Sequence, residues 1–330
     1  MKNITAILLI FAFAFTTTAQ TRNRKADTIN PPKNYKPLFA INYSPLRLLL
    51  NSAVNDTIKQ FSAKNLKAEN IAATLIDLRD WENPKMANVR GEEKIYSASV
   101  VKMYYMAALY QQIQDDKIKV TPELTRGLKD MIVDSSNDAT GYIFDVLTDT
   151  TSGWEMPQKE FDVWQYKRNA VNRYFASMGY ANININQKTF CEDAYGREQQ
   201  SRNYKGENRN MLTTNATARL LSEIVSGRTV NAEKSVLMMN LMKRNPFAEG
   251  DKDDQSRGFT GIALINKNLK DAKLWSKAGW TSKTRHDAAY IETADGLKFV
   301  LVVFTENFAN ERDIIPSVAG KILDGLGKIK

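Results

Sequence analysis

Ser99 and Lys102 stand three residues apart in the run Ser99-Val100-Val101-Lys102. On a helix this spacing puts both side chains on one face. A serine hydroxyl is a poor nucleophile until a base takes its proton. A lysine whose pKa is lowered by apolar surroundings can be that base. The residues that follow, through Tyr110, are apolar nearly all round and supply such surroundings. A second polar cluster, Ser135-Ser136-Asn137, falls between two apolar stretches of helical character. It suits a loop and helix N-cap. It also suits chemistry, with Ser135 relaying a proton to a leaving nitrogen and the Asn137 amide holding a substrate amide. A third, Lys277-Ala278-Gly279, ends a predicted strand. Gly279 lets a substrate lie close against that strand, since no Cβ intrudes, and Lys277 adds positive charge.

S-x-x-K, S-x-N and K-x-G in this order resemble the signature of class A β-lactamases and penicillin-binding proteins. The flanks Ala98-Ser99, Met131-Ile132, Ala139-Thr140 and Thr284-Arg285-His286-Asp287-Ala288 are similar too. So is Thr213-Thr214 leading into Ala218-Arg219-Leu220-Leu221. The resemblance spans residues 45–328. It implies an exported serine hydrolase acting through an acyl-enzyme on an amide, with β-lactams among the substrates. Alternatives on the same scaffold are a D-alanyl-D-alanine peptidase, an esterase, or a catalytically silent envelope-binding homologue. By resemblance Ser99 is the nucleophile, Lys102 the proton acceptor and Ser135 the shuttle. Asn137, Lys277, Gly279 and Arg285 bind substrate. The backbone amides of Ser99 and Trp280 form the oxyanion hole.

The chain departs from the family in four ways. Ser136 stands for the family's Asp, and Ala278 for its Thr or Ser. The stretch between the first two motifs is short. The E-x-x-L-N motif that carries the deacylating Glu is missing. Glu192, Glu198 and Glu207 of the polar segment 183–212 are candidates for that base, with Glu198 preferred as the most central.

These residues need elements to hold them. The pattern predicts a helix from Leu46, a strand over 71–78, a second near 86–89, and a buried helix over 99–112. Helices follow at 122–133, from Asp138, at 158–178, from Thr213 or Thr214 to Ser226, and at 232–244. Segment 183–212 has no clear periodicity. Strands at 273–277, 288–293 and 298–305, the last two joined by Ala294-Asp295-Gly296, precede a helix at 313–326. The order is α+β: a β-lactamase/transpeptidase-like antiparallel sheet from both chain ends, flanked by terminal helices, with a helical lobe over about 99–265.

Residues 1–19 read as a secretory signal. Lys2 is the basic start, residues 4–15 are an apolar run too short to span a bilayer, and cleavage falls near Ala19. Residues 20–44, with Pro31, Pro32 and Pro37, read as an extended leader onto a domain at 45–330. The expected location is the periplasm or the medium, without stable membrane insertion. The net charge of +9 comes from scattered basic residues, a pattern that favours anionic envelope material or small carboxylates over nucleic acid. Cys191 is the only cysteine, which excludes an intrachain disulfide, and is read as a small half-buried residue. With a single histidine, His286, no metal site is expected. No cofactor is implied. A monomer acting on a small molecule or a peptidoglycan-like substrate is expected.

Overall fold

A computed structural model describes residues 28–248 and 254–329. The predicted signal lies outside the described residues. The chain begins with β1 (Ile41–Asn42), α1 (Ser44–Gln60), β2 (Ile71–Asp77), β3 (Lys85–Val89) and β4 (Ile95–Tyr96). Then come α2 (Lys102–Gln114), α3 (Pro122–Ile132), α4 (Asn137–Thr148), α5 (Gln158–Arg168), α6 (Ala170–Ser177) and α7 (Arg197–Arg202). β5 (Met211–Leu212), α8 (Thr214–Val225), α9 (Ala232–Met242), β6 (Lys243–Arg244), α10 (Asp254–Arg257) and α11 (Thr260–Asn266) follow. β7 (Lys273–Trp280), β8 (Thr284–Glu292), β9 (Lys298–Glu306) and α12 (Ile314–Leu326) close the described chain.

The predicted α+β layout is the one adopted. Among the described residues the main sheet runs β1-β3-β2-β9-β8-β7-β6, antiparallel except where β1 joins β3. Its two faces are both apolar, which is why its central strands read as near-continuous hydrophobic runs. Side chains alternate between faces along a strand. Ile71, Ala73 and Leu75 of β2, with Phe299, Leu301 and Val303 of β9, pack under α1 and α12. Ala72, Ile76, Val300, Val302 and Phe304 face the helical lobe. Within that lobe Lys102 to Gln111 of α2 are buried without a break.

Several segments differ from expectation. The helix predicted over 158–178 is two helices meeting at Asn169, whose side chain accepts hydrogen bonds from Asn172 and Asn186. Segment 183–212 is not structureless. It carries α7 and β5, and Asn184 and Met211 exchange backbone hydrogen bonds of 2.7 and 2.8 Å. The helix at 232–244 stops at Met242, because Lys243 and Arg244 peel away to pair with β7. The expected leader is held against the domain from Ile29 onward. Ile29 and Leu38 are buried, and Glu223 of α8 accepts from the Tyr35 hydroxyl and from the Leu38 backbone N–H at 2.9 Å.

Candidate active site

Ser99 lies in a 3-10 turn, Ala98–Val101, that runs directly into α2. Three residues per turn eclipse positions i and i+3, which sets Ser99 and Lys102 on one face of the turn. Ala98, just before it, is held at φ 45°. Behind the turn lies β7. A Cβ placed on Gly279 would come 2.7 Å from the Ser99 nitrogen and 2.9 Å from that of Val100. Only glycine permits this approach. It sets the strand end flat against the amides that open the helix, with Trp280 next along the strand. Gly279→Ala is therefore expected to push β7 from Ser99 and slow acylation about 10²-fold, the usual cost of a misplacement near 1 Å. Pre-steady-state labelling of Ser99 reads this out, and an unchanged rate would contradict it.

Lys102 is fully buried, and its ammonium points at the Ser135 loop rather than at Ser99. It donates to Ser135 O at 2.5 Å, Asn137 Oδ1 at 2.8 Å and Ser136 O at 3.3 Å, and lies 3.4 Å from Ser135 Oγ. Burial pushes its pKa down to about 7, only partly opposed by attraction to Cys191. Ser135 has a left-handed backbone, φ 58°. Its Oγ accepts from Lys277 Nζ at 3.0 Å. Ser136 caps α4 by accepting from the Ala139 N–H at 3.1 Å, a task that serine and aspartate share. Asn137 follows in the first turn of α4.

The structure thus brings together Ser99, Lys102, Ser135, Asn137, Lys277 and Gly279. Two expected residues are not with them. Arg285 pairs with Trp280 across β7 and β8, whereas His286 pairs with Gly279. Alternation therefore turns Arg285 to the sheet face away from Ser99. Its guanidinium lies 3.9 Å over the Phe259 ring and donates to Gly258 O at 2.6 Å. Glu198 is corrected as well. It is 1% exposed, accepts from Ser152 Oγ at 2.8 Å, and pairs with Arg168 and with Lys188 at 3.5 Å. These contacts all go to Oε1, and Oε2 is buried with no hydrogen-bond partner, so the carboxylate belongs to an ion cluster with Arg168 and Lys188. Glu192 and Glu207 are exposed and line a cleft of about 900 Å³ that opens at Asn137, Cys191 and Trp280.

Four residues around the site were given no role in it by the sequence reading. Cys191 is exposed, not half-buried, and its Sγ accepts from Asn137 Nδ2 at 3.4 Å. Gln255 accepts from Lys277 at 2.5 Å. Arg244 Nη2 donates to Ile132 O at 2.9 Å and Ser276 O at 3.2 Å. Both close off carbonyls at the end of α3, where four backbone acceptors lack helical partners. The only conceivable signals were the polar side chains themselves, Gln255 in a polar loop and Arg244 at the end of a predicted helix.

His286 is the fourth. It accepts at Nδ1 from the Thr305 N–H at 3.2 Å, so Nε2 carries the proton and donates to Tyr96 O at 2.8 Å. It ties β8 to the strand that leads into Ser99. Burial pushes its pKa from 6.5 down to about 4. The unfolded chain therefore takes up this proton first as pH falls. Stability is expected to drop by on the order of 3 kcal/mol between pH 6.5 and 4, then level off. Urea unfolding across that range measures it, and a His286→Gln variant with an equally steep dependence would rule the assignment out.

The family model described as Beta-lactamase enzyme family matches residues 52–140 and 123–326. No curated protein matches the sequence. Solved structures do share the fold. A β-lactamase from Sphaerobacter thermophilus DSM 20745 superposes with a TM-score of 0.60 at 18% identity, over 84% of this chain and 98% of that one. PBP-A gives 0.59 at 15% identity, over 89% and 100%. A β-lactamase from Chitinophaga pinensis DSM 2588 gives 0.58 at 16% identity, over 83% and 99%. With the family model matching most of its length, the chain belongs to the β-lactamase enzyme family of serine hydrolases.

Proposed function

We propose that Ser99 attacks the carbonyl of an amide, β-lactams included, and forms an acyl-enzyme that hydrolyses slowly. What carries this is the position of Ser135 Oγ, 3.0 Å from Lys277 Nζ and 3.4 Å from Lys102 Nζ, one turn from Ser99. Neutral Lys102 keeps N–H donors for Ser135 O and Asn137 Oδ1 and has a lone pair for the Ser99 proton. Lys277 donates to Ser135 Oγ, so the Ser135 hydrogen is directed elsewhere. It goes to the leaving nitrogen and is replaced from Lys102. The proton lost by Ser99 thus ends on the leaving group. The amides of Ser99 and Trp280 face the developing oxyanion, each such donor being worth about 3–4 kcal/mol.

Deacylation is the slow step. Glu198 is held by Arg168 and Lys188, and a missing general base costs about 10²–10⁴ in rate. This favours a penicillin-binding, peptidase-like role over rapid β-lactam hydrolysis. A mutant of PBP-A, similar in fold, has been captured as an acyl-enzyme complex with penicillin-G. The first nineteen residues support a location in the periplasm or the medium, and a monomer acting on small or peptidoglycan-like amides fits the cleft.

Intact-mass measurement after incubation with benzylpenicillin and a chromogenic cephalosporin tests the proposal. A persistent adduct on Ser99 is expected. Fast turnover without an adduct would sink the slow step, and neither adduct nor turnover would sink acylation itself. The acylation rate is also expected to rise with pH through about 7 and then plateau, since the neutral form of Lys102 is the active one. A rate flat from pH 6 to 9 would remove Lys102 as the base.

A further inference from the structure

We infer that Asn210 and Tyr105 are positioning residues: through segment 187–191 they hold the Asn137 carboxamide where it reads the side-chain amide of a substrate. The inference rests on the acylation of Ser99 proposed above. A carboxamide has two acceptor positions and two donor protons. Asn210 uses all four inside the protein. Its Oδ1 accepts from the backbone N–H groups of Asn186 and Gln187, each at 3.0 Å. Its Nδ2 donates to Gln187 O at 2.8 Å and to the Tyr105 hydroxyl at 3.1 Å. That hydroxyl in turn donates to Gln187 O at 2.6 Å. The backbone N–H and C=O of Gln187 are thus both gripped. Asn210, Tyr105 and Gln187 are all buried, and burial raises the Tyr105 pKa, so the phenol keeps the proton it donates. A buried polar network paired in this way holds a single geometry.

What the grip positions is a wall of the cleft. Residues 188–193 belong to no helix or strand, so their anchors place them. Lys188 donates to Asp145 Oδ2 of α4 at 2.6 Å and to Ser152 Oγ at 2.8 Å. Phe190 and Cys191 then line the cleft beside Asn137. Cys191 Sγ accepts from Asn137 Nδ2 at 3.4 Å, and Asn137 Oδ1 accepts from Lys102 Nζ at 2.8 Å. The path begins and ends on α2, because Tyr105 lies three residues beyond Lys102, on the same face of that helix. A shift at Gln187 would carry Cys191 away from Asn137 and leave the carboxamide held by Lys102 alone. Asn210 also reaches the nucleophile's side of the cleft. Its backbone carbonyl accepts from the Ser97 N–H at 3.2 Å, two residues before Ser99.

The test compares benzylpenicillin with 6-aminopenicillanic acid, which lacks the side-chain amide. Rates of Ser99 acylation are read by intact mass on the full chain, on Tyr105→Phe, on Asn210→Ala and on a control, Tyr104→Phe. Tyr104 is equally buried on α2, but its hydroxyl meets Thr217 Oγ1 at 3.3 Å instead of the segment. In Tyr105→Phe and Asn210→Ala, benzylpenicillin is expected to lose about five- to tenfold relative to 6-aminopenicillanic acid, the weight of one hydrogen bond. The control should keep the parent's ratio. A merely structural role would slow both penicillins alike, so an unchanged ratio in the folded variants would overturn the inference. An equal change in the control would do the same. A second readout does not depend on acylation. Cys191 is the only cysteine, so iodoacetamide labelling reports on the segment alone. Its rate is expected to rise about threefold or more in Tyr105→Phe and Asn210→Ala, because a looser segment opens more often. Equal rates in all four proteins would also overturn the inference. If Asn210→Ala fails to fold, Tyr105→Phe decides. If neither penicillin acylates Ser99 in any of them, the acyl-enzyme proposal falls, and the labelling rates decide whether Asn210 and Tyr105 hold the segment.

Discussion

Ser99→Ala is expected to abolish every covalent adduct and to lower turnover of any substrate by about 10⁶-fold, the scale seen when a serine nucleophile is removed. The fold should not suffer. Ser99 is half-buried, and the bonds that fix its turn are backbone ones, such as that from the Val100 N–H to Ser97 O at 3.2 Å. Lys102→Ala should lose nearly as much activity, because the two act as a unit. It should also cost stability, since it leaves Ser135 O, Ser136 O and Asn137 Oδ1 without their donor and opens a cavity, a cost that relief of the buried charge offsets only in part. Activity and unfolding midpoints measured on the same two variants separate these effects. Residual activity in Ser99→Ala above a percent of the parent would place the nucleophile elsewhere.

Glu223→Ala is expected to cost about 3–5 kcal/mol of stability, the usual result of breaking a buried ion pair from one side. Its carboxylate accepts from the Tyr35 and Tyr180 hydroxyls at 2.7 and 2.8 Å, from the Leu38 N–H at 2.9 Å and from Arg219 Nε at 2.9 Å. Alanine would leave all four donors without this acceptor, and with them the anchor of the N-terminal segment. Glu223→Gln should fall between. Glu192→Ala, on an exposed residue, should change stability by less than about 0.5 kcal/mol and serves as control. Equilibrium denaturation of the three variants decides, and a Glu223→Ala midpoint equal to the control's would discredit the anchor.

Sequence spacing went far where the geometry is local. The Ser99–Lys102 pair and the cap at Ser136 each depend on a few consecutive residues, so residue type and order were enough to read them. Long-range pairing was another matter. Arg285 looked like a site cation because its neighbours fit, but one step of strand parity decides which face it takes, and parity is set by pairing with β7. Glu198 looked like a base because it is central in a polar segment. Its partner Arg168 lies 30 residues earlier and at another element's end, where no motif marks it. The N-terminal segment looked like a leader because it is polar and proline-bearing. Its anchor is 185 residues away, at Glu223. Gln255 sits in a helix of four residues, too short to leave any periodic trace.

The pairing of β2 with β9 reaches beyond architecture to the order in which the molecule can assemble. Ile71 pairs with Thr305 and Asp77 with Phe299, so the middle of the sheet joins strands from opposite ends of the described chain. A ribosome must finish β9 before the sheet has a centre. Until then β2 offers one unpaired edge and two apolar faces to whatever is nearby. The helical lobe between them can gather earlier, since its contacts are closer in sequence. Closing so long a loop makes nucleation through the sheet slow. Refolding is therefore expected to be limited by β2–β9 docking, with helix signal recovering before the burial of Trp275 and Trp81 against Tyr290.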